Sequence, residues 1–218
     1  MKNLSKAGGL SALYLAAAYL AAMPFFLLVL KIQDLADPLQ MVETLVANQS
    51  SMYAMEFIVY VLFGLFLVVL AVALNDRLKV GAEALMAVAT PIAIIWAGLL
   101  IASGMIYNAG IAPVVTLYDT DQAQAVSLWS AIDAVSSGLS GNGEIIGGTW
   151  MLLVSMAAWK TRKLPKPLNV LGIAIAIVAI LSSIPALKDL AFIFGLGQIV
   201  WFVWLGIIML NNRLTRME

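Results

Sequence analysis

Apolar residues run through this chain in six long stretches, at 8–32, 52–74, 84–107, 141–159, 168–187 and 190–210. Each approaches the roughly 20 residues that an α-helix needs to cross a bilayer. The pattern predicts an all-α fold, a polytopic six-transmembrane-helix bundle filling residues 1–218 as a single integral membrane domain. The fourth stretch is preceded by a moderately apolar segment from residue 122. Together they would make an element of about 38 residues, near 57 Å at about 1.5 Å per residue, which exceeds the bilayer. Such an element has to project, lie in the interface or bend. Gly138, Gly141 and Gly143 mark the expected flexing point, because glycine weakens a helix interior. The first stretch follows Lys2 and Lys6 and continues to Leu30. It is longer than the ~7–15-residue core of a cleaved signal peptide and reads as an uncleaved span.

Between the stretches, Asp37-Pro38 and Ala112-Pro113 predict turns, and Asp34 to Ala47 predicts a short surface helix. Pro165 and Pro167 predict the end of the fourth helix and the start of the fifth, while Pro91 and Pro185 predict kinks within their spans.

Composition supports the membrane reading. The chain is 63% hydrophobic and 11% charged, against about 45–50% and about 25% in soluble domains. Disorder and nucleic-acid binding both need more charge than this. With Cys 0 and His 0, disulfides, Cys/His zinc sites, thiolate-held Fe–S clusters, His-ligated haem and Ser-His-Asp or Cys-His catalysis are excluded. No metal and no cofactor is expected.

The cations fix an expected orientation. Ten of the 12 basic residues, Lys2, Lys6, Arg77, Lys79, Lys160, Arg162, Lys163, Lys166, Arg213 and Arg216, fall on one side of a six-span chain, and Lys31 and Lys188 on the other. Asp34, Asp37, Glu43, Asp119, Asp121 and Asp189 share the less basic side. Basic loops stay inside, so both termini are expected to be cytoplasmic, in a bacterial cytoplasmic (inner) membrane.

Against this apolar background one polar stripe stands out. Ser130, Asp133, Ser137, Ser140 and Glu144 recur at three- or four-residue steps and would line one face of a continuous helix. An acidic face exposed to hydrocarbon is costly, so the stripe should turn inward. Counting from the cytoplasmic charges at about 1.5 Å per residue puts Glu144 about 24 Å, Gln198 about 22 Å and Tyr60 about 26 Å away from them. All three then share the outward half of the bilayer. Glu56 precedes Tyr60 by one turn, with Tyr53 beyond it, and Trp201 and Trp204 follow Gln198 at three-residue steps. The candidate ligand-binding set is Glu56, Tyr60, Asp133, Ser137, Ser140, Glu144, Gln198 and Trp201, with Glu144 as the central acceptor. Neighbouring carboxylates suit a proton, a cation or an amine. The competing structural reading has Glu144 pinning helices through Tyr, Ser, Asn142 or Gln198, at about 0.6 kcal/mol per contact. For Gly141, Gly143, Gly147 and Gly148 close helix packing is weighed above a locally unwound, ligand-coordinating helix.

Residues Ile145 to Leu181 carry a Gly-rich start (Gly147, Gly148), Trp150 with Leu152 and Leu153, a basic loop ending in Leu164-Pro165, then Leu168, Leu171 and Gly172. With Gly8-Gly9 before the first span, this pattern resembles a bacterial multi-span membrane family, domain of unknown function 4386. The resemblance implies a membrane protein and brings no functional residues.

Three functions compete. The first is binding, and passage, of a small or lipid-like ligand through an outward-half polar cavity. The second is a non-catalytic accessory or scaffold subunit, in a homo-oligomer or with a membrane-complex partner. The third is an intramembrane enzyme using Asp133 and Glu144 as acid and base, disfavoured because no nucleophile or metal cluster accompanies them. Membrane lipids are partners in all three.

Overall fold

In the computed structural model, which describes residues 2–29, 37–140 and 144–211, every regular element is helical. Helix α1 (Lys2–Pro24) runs into a π-helical turn, Phe25–Val29. Helices α2 (Pro38–Ala47) and α3 (Gln49–Glu56) follow, and a second π-helical turn, Phe57–Leu62, leads into α4 (Phe63–Leu78). The rest are α5 (Glu83–Tyr118), α6 (Gln122–Ser140), α7 (Ile145–Thr161), α8 (Lys166–Ser182), a 3-10 turn at Pro185–Leu187 and α9 (Leu190–Leu210). Among the described residues four helical runs, Asn3–Pro24, Gln49–Leu78, Glu83–Tyr118 and Leu190–Leu210, are long and apolar enough to cross a membrane. The fifth predicted span is the shorter apolar helix α8, and the fourth is α7, of 17 residues.

Several expectations change on the way from sequence to structure. For the element from 122 to 159, left open as straight or bent, α6 is described through Ser140 and Glu144, the residue preceding α7, is not helical. Gly138 lies inside α6, while Gly141, Asn142 and Gly143 fall outside the described residues, as do Lys31, Asp34, Arg213 and Arg216. The expected surface helix is present from Pro38, where Asp37 Oδ1 accepts the Leu39 N–H at 3.0 Å and proline occupies the first turn. Pro185 does not kink a span, because α8 has already ended at Ser182.

The Ala112-Pro113 turn does not form either. Helix α5 continues through it for 36 residues. Tyr107, Ile111 and Val114 are buried in one apolar cluster with Val42 and Leu45 of α2, Met52 of α3, and Ala125 and Trp129 of α6. That burial outweighs the roughly 3 kcal/mol that an interior proline costs. In the turn that follows, Thr116 Oγ1 donates back to the Ala112 carbonyl at 3.0 Å. Because Pro113 itself is exposed, Pro113→Ala should restore a backbone bond without disturbing the cluster. We expect it to raise unfolding stability by about 1–3 kcal/mol, read as a higher midpoint for loss of helical signal in detergent.

The chain forms two compact units, residues 1–17, 64–98 and 141–218 in one, and 18–63 and 99–140 in the other. The first unit owes its packing to small residues that let helix backbones approach. Ser5 Oγ of α1 donates to the Met209 carbonyl of α9 at 3.0 Å, and a Cβ on Gly206 would stand 3.0 Å from the Gly9 carbonyl oxygen. A Cβ on Gly148 of α7 would stand 2.7 Å from Ala179 Cβ and 3.0 Å from the Ala176 carbonyl oxygen of α8. An aromatic row, Trp96, Trp150, Trp201 and Phe202, fills the interior, with successive ring centroids 5.8, 6.0 and 5.5 Å apart. On the basic side, Lys163 Nζ donates to the carbonyls of Arg77 and Val80 at 2.8 and 3.2 Å, and Arg77 Nη2 returns a bond to the Lys163 carbonyl at 3.0 Å. Two of the orienting cations therefore also fasten the α4–α5 turn to the α7–α8 turn.

Candidate functional site: a carboxyl and aromatic cluster in the second unit

The second unit gathers polar side chains from three helical segments. Asp133 of α6 lies twelve residues beyond Asp121, and Tyr107 of α5 eleven before Tyr118, so both sit about 17 Å from the α5–α6 turn by the helical rise. Their side chains meet there. The Tyr107 hydroxyl donates to Asp133 Oδ1 at 2.7 Å and lies 3.2 Å from Ser137 Oγ, which itself reaches Asp133 Oδ1 at 3.4 Å. One turn away, Ser103 Oγ donates to the Ser136 carbonyl at 2.9 Å, a second polar tie between α5 and α6.

Glu56 and Tyr60 arrive from the third segment. Glu56 ends α3, and Tyr60 lies in the π-helical turn that follows it. Such turns break the i→i−4 ladder and occur frequently at functional sites. Gly104 makes room for this one: a Cβ there would stand 2.6 Å from Tyr60 Cβ and 3.1 Å from the Glu56 carbonyl oxygen. The Tyr60 ring lies 6.0 Å from that of Tyr107, and Tyr107 lies 5.7 Å from Trp129. Glu56 is only 3% exposed, and its Oε2 has no hydrogen-bond partner among the described residues. Asp133 is near enough to interact with it electrostatically. Among the described residues the one ion pair is Lys79–Asp76, so neither Glu56 nor Asp133 is ion-paired there.

Five of the eight residues singled out by sequence belong to this unit: Glu56, Tyr60, Asp133, Ser137 and Ser140. Tyr60, Asp133 and Ser137 meet around Tyr107, and Glu56 stands one turn before Tyr60. Ser140 Oγ instead bonds weakly back to the Ser137 carbonyl, at 3.5 Å, and Ser130 is exposed and bonded to the Val126 carbonyl of its own helix at 2.8 Å. Glu144, Gln198 and Trp201 belong to the other unit. The Glu144 N–H faces Ser182 Oγ at 3.5 Å, Gln198 is fully buried with neither amide atom bonded among the described residues, and Trp201 Nε1 is likewise unpartnered there. Trp204, expected beside Trp201, is exposed. Gly147 and Gly148 sit inside α7 against Trp96 and Ala179, which is the close-packing alternative.

Sequence reading missed Tyr107 and Trp129. Both carry a signal in retrospect. Trp129, Asp133 and Ser137 form an i, i+4, i+8 row on α6, and Ser103 and Tyr107 are one turn apart on α5. Tyr107→Phe removes the donor to Asp133. We expect it to cost about 1.5–3 kcal/mol, the usual worth of a hydrogen bond to a charged group, measured by thermal unfolding in detergent.

Long apolar helices enclosing a few ionisable side chains define a multi-pass α-helical membrane protein. The chain belongs to the family described as Domain of unknown function (DUF4386), whose profile matches residues 10–208. No curated protein and no solved structure matches it.

Proposed function

We propose that this protein binds a small organic cation, an ammonium-headed ligand, at the cluster of Glu56, Asp133, Tyr60, Tyr107 and Trp129. The observation that carries the reading is Glu56: a buried carboxyl whose Oε2 has no partner, near a second carboxyl, with neither of them in an ion pair among the described residues. A buried carboxyl without its full set of partners is costly, and the N–H groups of an ammonium ligand would supply them. A divalent cation is normally held by more carboxylates than this, and no group of three or more acidic side chains comes together among the described residues. An ammonium group needs fewer, and it gains from aromatic faces, about 2 kcal/mol or more when desolvated. Asp133 and Ser137 are only half-buried, which gives the buried Glu56 a polar approach.

In this reading the chain crosses a bacterial cytoplasmic membrane six times with both termini inside, the orientation favoured by its basic loops. Helices α7 and α8, at 17 residues each, meet the lower limit for a span of about 17–25 residues. The test is calorimetric titration of the detergent-solubilised full chain with methylammonium and tetramethylammonium, with sodium at equal ionic strength as control. Saturable heat from an ammonium salt, absent with sodium and lost in Glu56→Gln, supports the site. No ammonium binding, or equal binding by the variant, overturns it and leaves the scaffold reading.

A further inference from the structure

Outside this cluster, the first unit carries an open apolar groove of about 470 Å³ between α7 and α8, lined by Met156, Trp159, Val170, Ile173, Ala174 and Ile177. That volume falls within the roughly 300–1,000 Å³ of small-molecule sites. Its walls are not closed by other helices: Trp159 is 49% and Val170 53% exposed. In water so apolar a groove would demand a partner; in a bilayer the available occupant is an acyl chain.

One end of the groove is different. Lys166, Val170, Ile173, Ala174 and Ile177 share one face of α8, since their spacings are four, three, one and three residues. Lys166 therefore stands one turn beyond the apolar floor, at the mouth. On the opposing helix Lys160 directly follows Trp159, and both lysines are exposed. Arg162 is exposed in the same connection, where the chain turns through φ 54°. Lys163 is committed to the Arg77 and Val80 carbonyls. The opposing charge is Glu83, which interacts with Lys160 and Lys163 and is hydrogen-bonded to the Gly81 N–H at 3.0 Å. Lys160 makes no ion pair with Glu83 among the described residues, and the exposed Lys160, Arg162 and Lys166 leave the mouth net positive.

We infer that the α7–α8 groove is a binding site for one anionic phospholipid, its acyl chain along Val170–Ile177 and its phosphate at Lys166 and Lys160. An interfacial tryptophan at the mouth fits the headgroup level, where such rings collect. An apolar trough capped by cations matches a lipid in both halves, whereas a hydrophobic partner helix would leave the lysines without a counter-charge.

Native mass spectrometry of the full chain from detergent, titrated with phosphatidylglycerol or phosphatidylcholine, tests it. A single retained phosphatidylglycerol is expected, preferred over phosphatidylcholine by about fivefold for each engaged lysine. Lys160→Gln with Lys166→Gln should erase that preference while leaving phosphatidylcholine retention unchanged. Ala174→Trp, which fills an exposed position in the floor, should reduce retention of both lipids. Equal retention of the two lipids by the native chain, or unaltered phosphatidylglycerol retention in both variants, would overturn the site. So would a dimer cross-linked through α7 and α8, which would give the groove to a second copy.

Discussion

Glu56→Gln is expected to lower affinity for an ammonium ligand roughly 30-fold or more, the equivalent of the 2 kcal/mol or above that is lost when one member of a buried charge pair is truncated. The same substitution should leave the unliganded protein as stable as before, or more stable. In the native chain the Glu56 carboxyl is buried and its Oε2 has no donor among the described residues. An amide of the same shape removes the cost of ever charging that buried group. Affinity and stability therefore move in opposite directions, which is the mark of a group kept for binding at a cost to the fold. A structural pin gives the reverse: remove it and the helices loosen. Thermal unfolding and ammonium titration on one preparation of the variant separate the two. A fall in midpoint of several degrees together with intact binding would sink the proposal. Glu144→Gln serves as the control. If binding rests on Glu56, neutralising Glu144, the other carboxyl singled out by sequence, should leave ammonium affinity within about twofold, well under the 1.4 kcal/mol that makes a tenfold change.

That contrast also shows how far the sequence could be read. Its apolar lengths and its spacing of acidic and hydroxyl residues identify membrane helices and place Asp133 and Ser137 on one face, because helical periodicity is a local property. The periodicity fails at Glu144. The stripe lines one face only if one helix runs through that residue, and whether Glu144 is helical depends on the local backbone and on packing, which spacing alone does not fix. The failure at Pro113 has a similar cause. Proline usually ends helices, but here Ile111 and Val114 lie on a face already committed to α2 and α6, and tertiary burial overrides the local preference. Tyr107 was hidden for another reason. Its importance comes from what it touches, Asp133 and Ser137 on a helix some 30 residues later, and nothing near it in sequence shows that contact. The π-helical turn holding Tyr60 is hidden in the same way, since Phe57–Leu62 reads as an ordinary apolar helix.

Gly172 is expected to be the most sterically intolerant position tested in the first unit. It lies in α8, and a Cβ there would stand 2.7 Å from Trp201 Nε1 while also colliding with Ser155 Oγ. Neither neighbour has room to retreat. Ser155 and Trp201 are each 1% exposed, and the Trp201 ring is held edge-on to Trp150 and Phe202. Overpacking of this kind costs about 1–3 kcal/mol, so Gly172→Ala should lower stability by about that amount, and Gly172→Leu should yield little folded protein. Ser155 supplies an internal check. Its Oγ is buried without a partner among the described residues, so Ser155→Ala alone should be neutral or stabilising, because a buried unpaired hydroxyl is unfavourable. Combined with Gly172→Ala it should recover part of the loss, with a coupling energy of about 0.5–3 kcal/mol. The experiment also decides what Trp201 is for. If its ring lined a ligand cavity, as its position beside Gln198 first suggested, it would swing aside for a methyl group, and Gly172→Ala would cost almost nothing. A full penalty, relieved by Ser155→Ala, makes Trp201 part of the close-packed wall between α8 and α9 and leaves the ligand chemistry to the carboxyl cluster of the other unit.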